Sequence, residues 1–157
     1  VVSSMEAMRE KLWVRTQVGG LARFESDGYY WMSPDVPGNP WIISTLWLAD
    51  YLLEKGEDDG ELAEAQELLS WATRHARPSG VLAEQLHPNT GEPLSVAPLT
   101  WSHAAFLATT HRLLRRLAQK EACPVCGATF MPFLRREDWI EQLYAQTCDS
   151  IHGLCKF

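Results

Sequence analysis

The chain has 157 residues, 46% of them hydrophobic and 22% charged, a composition that suits one folded globular domain and excludes a disordered tail. Lys+Arg 14 against Asp+Glu 20 leaves a net charge of −6 without a basic stripe, which argues against nucleic acid or an anionic membrane as partner. No apolar run approaches the ~20 residues of a membrane span. The sequence opens Val1-Val2 without Met, so the lack of a leader carries no information. Seven Trp point to flat faces for a polar ligand, and four Cys, all at or after Cys123, point to a separate C-terminal device.

In chain order, Ser3 or Ser4 caps a first helix with Met5, Met8, Leu12 and Trp13 on one face, ended by Gly19-Gly20. A long loop to Gly38 follows, rich in aromatics (Tyr29, Tyr30, Trp31), which argues for function over disorder. Asn39 as N-cap and Pro40 at the first helical position predict a second helix. From Trp41 to Lys55 it is apolar almost all round, Trp47 included, and so should be buried between others. After a tight acidic turn over 56–60, Glu61 to Arg77 is amphipathic. Leu62, Ala65, Leu68, Leu69 and Ala72 face inward, and Glu61, Glu64 and Glu67 form a solvated face. A second long loop, Pro78 to Thr100, leads to a helix from Trp101 to about Lys120 that Thr100 can cap. A Cys-Pro-Val-Cys-Gly turn and a short helix over Arg136 to Gln146 complete the chain. No strand alternation is visible.

The fold class expected is therefore all-α, with long loops gathered at one end of antiparallel helix pairs, as in a helical barrel. Four or five helices cannot close such a barrel, and the second helix wants neighbours on every side. The expectation is the C-terminal part of something larger, with a partial barrel over 1–120 and a Cys/His-bearing extension over 121–157.

Two loops carry the candidate chemistry. In the second, Glu84 sits between Ala83 and Gln85 in an otherwise apolar or turn-forming stretch, where a carboxylate is a candidate general base or acid, or else a plain surface glutamate. Glu92, between Gly91 and Pro93, reads as a turn residue. In the first loop, Arg23 and Asp27 offer directional hydrogen bonds, and Tyr29, Trp31 and Trp41 offer apolar planes. Polyhydroxylated ligands need that pairing of charged forks and aromatic faces. Trp13, Trp47 and Trp71 read as core, while Trp41 and Trp101 are divided between core and site.

The ordered set Gly20-Leu-Ala-Arg-Phe24, Tyr29-Tyr30, Gly38-Asn-Pro-Trp41, Ala83-Glu-Gln85 and Pro98-Leu-Thr-Trp-Ser-His103 closely resembles glycoside hydrolase family 15, over about Gly19 to Leu117. The resemblance implies the C-terminal part of an (α/α)6 barrel and hydrolysis of α-glucosidic bonds with inversion. It implies that Glu84 is the general base and that Arg23, Asp27, Tyr29, Trp41, Gln85 and Trp101 bind substrate, with Gln85 a hydrogen-bonding neighbour of the base. The family's general acid matches no position here, so these residues alone are expected not to hydrolyse a glycosidic bond efficiently. The implied partners are an α-glucan oligosaccharide or trehalose-like substrate and the missing N-terminal part of the same protein. Residues Trp31 to Pro37 lengthen the first loop relative to the fungal pattern, which leaves the leaving-group side open among maltodextrin, isomaltose-type and trehalose linkages. The rival from another class is a non-catalytic sugar-binding helical protein derived from that family. A zinc-stapled helical adaptor comes third.

Catalysis needs no cofactor on this reading. Cys123 and Cys126 form a metal-type knuckle that Cys148 and Cys155, or His152, would complete as a structural zinc site, with two disulfides or free thiols as the alternatives. Zinc would imply a reducing, cytoplasmic setting. If it is present, a chelator lowers helicity and the melting temperature, and unchanged circular dichroism and melting would sink the zinc assignment. His103 and His111 read as structural or surface residues, not as ligands.

Overall fold

The computed structural model describes residues 2–55 and 58–120. The four cysteines, His152 and the expected helix over 136–146 lie outside the described residues. Among those described, no helix is long and apolar enough to cross a membrane, and no group of His, Cys, Asp and Glu could hold a metal ion. The chain divides into two compact units, Val1–Thr110 and His111–Phe157.

The first unit is built on α1 (Val2–Leu12), α2 (Ile42–Lys55), α3 (Asp59–Arg74) and the start of α4 (Thr100–Lys120). Helices α2 and α3 pack on each other as a hairpin, the arrangement that so short a connection imposes on two apolar faces. Ile42, Leu46, Ala49, Leu52 and Leu53 of α2 and Ala65, Leu68, Leu69 and Ala72 of α3 are buried. Asp58 caps α3, its carboxylate accepting from Glu61 N at 2.8 Å. The helix therefore starts two residues earlier than the apolar period suggested, and Asp58-x-x-Glu61 is the spacing that signals it. Glu64 and Glu67 lie outward in ion pairs with Arg9 and Arg74, whereas Glu61, expected on the solvated face, is only 13% exposed and pairs with Lys55.

Four further expected helix boundaries are corrected. Helix α3 ends at Arg74 rather than Arg77. Helix α1 stops at Leu12 rather than running to Gly19. Trp13 and Val14 turn out to pair with 20–21 instead, Val14 N donating to Gly20 O at 2.9 Å. Asn39 is not the cap of α2. The helix begins at Ile42, with Trp41 O accepting from Thr45 N (3.1 Å) and Thr45 Oγ1 (2.8 Å), while Asn39 is drawn into the interior. Thr100 is the first residue of α4, and Leu99 O accepts from His103 N at 3.3 Å.

Helix α2 is also not buried on every side. Trp47 is 55% exposed, and with Asp50, Tyr51 and Glu54 it forms a stripe at helical spacing that nothing in the described residues covers fully. On α4, Trp101 (67%) and Leu107 (68%) are similarly exposed.

The expectation of no strands fails in a small way. Gln85–Leu86 pairs antiparallel with Pro93–Leu94, and isolated bridges join Trp13 to Leu21, Leu21 to Trp41 and Trp41 to Gln85. Five chain segments thus lie side by side in a ladder only one or two residues wide. A period-2 pattern needs several residues to register, so two-residue strands leave no trace in the sequence.

In the second unit, the described turns of α4 carry His111, which burial, then the charges of Arg115 and Arg112, hold below the usual histidine range. Its Nε2 is buried without a hydrogen-bond partner among the described residues.

Candidate active site

The ladder is what brings the two long loops together. Trp41 N donates to Leu21 O at 2.8 Å, and Leu86 N donates to Pro40 O at 2.9 Å. Ile42 N, at the head of α2, donates to Glu84 O at 3.2 Å. Residues 84–86 therefore run along 40–42, and the base candidate is fixed by its own backbone to the start of a buried helix.

On the first loop, Arg23 and Asp27 form a two-pronged pair, Nε to Oδ2 at 3.0 Å and Nη2 to Oδ1 at 2.9 Å. Asp27 is 1% exposed and also accepts from Tyr29 N at 3.1 Å, so its carboxylate is fully engaged. The guanidinium stacks over Trp41, with Cζ 4.4 Å from the ring centroid, and flanks Tyr29 at 5.6 Å. Such a pair orients the guanidinium while leaving N–H donors beyond the fork for a ligand's hydroxyls. The Tyr29 and Trp41 rings lie 6.2 Å apart. Arg23, Asp27, Tyr29 and Trp41, singled out in the sequence, thus form one group.

Glu84 joins that group through a residue the sequence did not single out. Ser95 Oγ donates to Glu84 Oε2 at 2.5 Å and lies 3.1 Å from Tyr29 Oη. Since the serine has one proton and gives it to the carboxylate, the tyrosine hydroxyl is the donor in the second bond. The result is a directed chain from Tyr29 through Ser95 to Glu84 that spans both loops. Ser95 has φ 60, a left-handed conformation unusual for serine and a mark of a constrained position. No motif marks it in the sequence, because its role depends on the hairpin that folds 94–96 back on 84–86.

Gln85 does something other than expected. Its Oε1 accepts from Asn39 Nδ2 at 2.8 Å, and the side chain is wholly buried, so Ser95 and not Gln85 is the base candidate's hydrogen-bonding neighbour. Successive residues of an extended strand point to opposite faces, which separates the Gln85 and Glu84 side chains. Gln85 Nε2 and Trp41 Nε1 are both buried without an acceptor among the described residues, and these two residues oppose each other across a bridge. A buried unmet donor costs about 1–3 kcal/mol.

Trp101 is 67% exposed at the first turn of α4, next to Ser102, whose Oγ donates to Ala83 O at 2.7 Å, and His103, whose Nε2 accepts from Leu82 N at 3.1 Å. His103 is thus a structural residue that holds the segment before Glu84. Glu92 is exposed in the hairpin turn.

Comparison with known proteins now bears on this arrangement. The profile of glycosyl hydrolases family 15 matches residues 59–111, the stretch holding Glu84, Gln85, Ser95 and Trp101. An uncharacterized glycosyl hydrolase of Methanocaldococcus jannaschii is 34% identical over 116 residues, 68% of this chain and 17% of that protein. The profile match and this relative support an assignment to glycosyl hydrolases family 15. Glucoamylase P of Amorphotheca resinae, also similar to this chain, is 39% identical over 54 residues, 34% of the chain and 9% of the enzyme.

Two solved structures share the fold. A bacterial glucoamylase complexed with acarbose superposes with a TM-score of 0.58 at 24% identity, over 69% of this chain and 16% of that one. The glucoamylase of Hormoconis resinae gives 0.53 at 22%, over 71% and 26%. The fold is all-α, that of part of an (α/α)6 barrel. The chain spans about a sixth of the length of the Methanocaldococcus jannaschii relative.

Proposed function

We propose that this chain supplies the base half of an inverting hydrolase that cleaves α-glucosidic bonds of oligo- or polysaccharides and releases glucose. The observation that carries the reading is the Tyr29–Ser95–Glu84 chain, which brings a half-buried carboxylate from one loop to the Arg23–Asp27 fork and the Trp41 face of the other. Glucoamylases among its relatives support an α-glucan as substrate.

The terminal glucose ring rests against Trp41 and Tyr29, with the N–H donors of Arg23 beyond the Asp27 fork taking its hydroxyls. Trp101 offers a further flat face. Ser95 holds Oε2 of Glu84, leaving Oε1 to accept a proton from a water. That water attacks the anomeric carbon on the face opposite the departing oxygen, the C–O bond to the leaving group breaks, and the anomeric configuration inverts. A general acid must protonate the leaving oxygen from a second carboxyl about 6.5–9.5 Å from the first. We assign that acid to polypeptide outside these 157 residues. The exposed Trp47 and Leu107 support further helices packing on this part of the barrel.

The test compares this chain with the product of the whole reading frame around it, on maltodextrin, isomaltose and trehalose, following the anomer released by NMR. With maltodextrin the expected first-formed product is β-glucose from the whole product and none from the chain alone; trehalose, if cleaved, should give one β- and one α-glucose. First-formed α-glucose from maltodextrin would overturn inversion, binding without turnover would make the protein a sugar-binding module, and turnover by the chain alone would put the acid within it.

A further inference from the structure

Sugar chemistry accounts for the loops of the first unit and leaves one motif of the chain without a role. Cys123, Cys126, Cys148, His152 and Cys155 all fall within the second compact unit, His111–Phe157. They follow directly on α4, whose last residue is Lys120. The two halves of the set are well separated in sequence, and their place in one compact unit is what allows them to meet.

The first half has the residue pattern of a two-thiolate knuckle. In Cys123-Pro-Val-Cys126-Gly127 a proline restricts the backbone between the thiols, and a glycine follows directly, where a tight reversal needs freedom. Spacing selects the second half. Two zinc ligands taken from one stretch of chain have about two to five residues between them. Cys148 and Cys155 are too far apart for that pattern, whereas Cys148-x3-His152 and His152-x2-Cys155 both fit it. His152 is common to the two arrangements, so a four-cysteine set is disfavoured. Cys148 and His152 stand at i and i+4, the interval at which a helical turn sets two metal ligands on one face, and they follow closely on the helix expected over 136–146.

We propose that Cys123, Cys126, Cys148 and His152 bind one structural zinc ion that holds the second unit together, with Cys155 left as a free thiol. Zinc takes four ligands in a tetrahedron, and thiolate sulfur with imidazole nitrogen is its usual donor set. Three thiols give up their protons on binding and the imidazole binds neutral, so occupancy falls as the pH is lowered. Four protein ligands leave no open position, which makes the ion a staple and not a catalyst. The site does not depend on the function proposed for the first unit.

The test uses the whole chain, purified without chelator, with and without reductant, and supplied with zinc chloride. Elemental analysis is expected to find one zinc per chain, and cobalt(II) in its place should show the strong visible bands of a tetrahedral thiolate site. Thiol titration should find one reactive cysteine in the zinc form and all four after chelation under reductant. Chelation should also speed tryptic cleavage at Arg135 and Arg136. Cys123→Ser, Cys148→Ser and His152→Ala are each expected to weaken zinc binding by at least about 100-fold, more than losing an outer partner of a ligand costs. Cys155→Ser leaves it unchanged. His152→Cys, which keeps four ligands, restores binding and so separates loss of a ligand from misfolding. A chain that takes up no zinc in either preparation overturns the proposal. Zinc retained by His152→Ala returns the site to four cysteines, and zinc lost with Cys155→Ser but kept with Cys148→Ser removes Cys148 from it; each overturns the ligand set. Zinc bound with tryptic cleavage unchanged on chelation overturns the staple.

Discussion

In the product of the whole reading frame, Glu84→Gln is expected to lower kcat for α-glucoside hydrolysis by about 10²–10⁴-fold, the usual contribution of a positioned general base. The substitution is nearly isosteric. The amide oxygen can still accept from Ser95 Oγ, which holds the wild-type carboxylate at 2.5 Å, and the backbone bonds from Glu84 N to Val96 O and from Ile42 N to Glu84 O are untouched. What is lost is the ability to take a proton from water. Substrate binding, which the proposed function gives to Arg23, Tyr29 and Trp41, should change little, so the loss appears in kcat and not in the affinity measured under non-turnover conditions. Steady-state kinetics with calorimetry on the same variant check this. If a substantial share of the wild-type kcat survives, Glu84 is not the base. If kcat and affinity collapse together while the melting temperature falls, its role is structural.

Gly20→Ala is expected to cost about 2–5 kcal/mol of stability, the sum of left-handed strain for an L side chain and of overpacking. Gly20 has φ +90, and an added Cβ would lie 2.6 Å from Trp71 Cζ2 and 3.0 Å from Pro40 Cβ. The indole cannot step aside, since Trp71 is buried and its Nε1 donates to Val18 O at 2.6 Å. Gly28→Ala is the control: nothing lies within 4 Å of its Cβ position and its φ is not positive, so it should stay within about 0.5 kcal/mol of the wild type. In thermal melts, Gly20→Ala should lower Tm by roughly 8 °C or more, and Gly28→Ala by no more than a couple of degrees. Similar Tm values for the two variants would show that Trp71 yields, and that the Gly19–Gly20 reversal does not hold the ladder together. The position also matters for the site, because Gly20 precedes Leu21, whose carbonyl holds Trp41 N.

The parts of this molecule legible in the sequence are those governed by local rules. Helical periodicity located α2, α3 and α4, because a 3.6-residue repeat over three or more turns reports one buried face whatever packs on it. Residue type and order singled out Arg23, Asp27, Tyr29, Trp41 and Glu84, which the structure brings into one group. Even there the sequence was ambiguous where one residue type serves two purposes. Asn39 before Pro40 has the chemistry of a helix cap, yet its amide is spent on Tyr30, Met32 and Gln85, since a buried amide with four hydrogen-bonding sites is worth more as the tie between two loops. Trp47 reads as core from its helix alone, but burial depends on what stands opposite, and among the described residues that stripe of α2 remains open.

Composition, helical period and motif order by themselves determined that this is an all-α chain, and they singled out two long loops and the residues of the candidate site. Only the tertiary structure decided how the loops meet. The ladder joining Trp13, Leu21, Trp41, Gln85 and Leu94 is too narrow to leave a pattern, and it sets Ser95, eleven residues away in sequence, as the partner of Glu84. It also turns Gln85 away from the carboxylate it adjoins in sequence. The physical reason is the same in each case. A hydrogen bond between segments far apart in the chain is specified by the backbone geometry that brings them together, and no local propensity encodes that geometry.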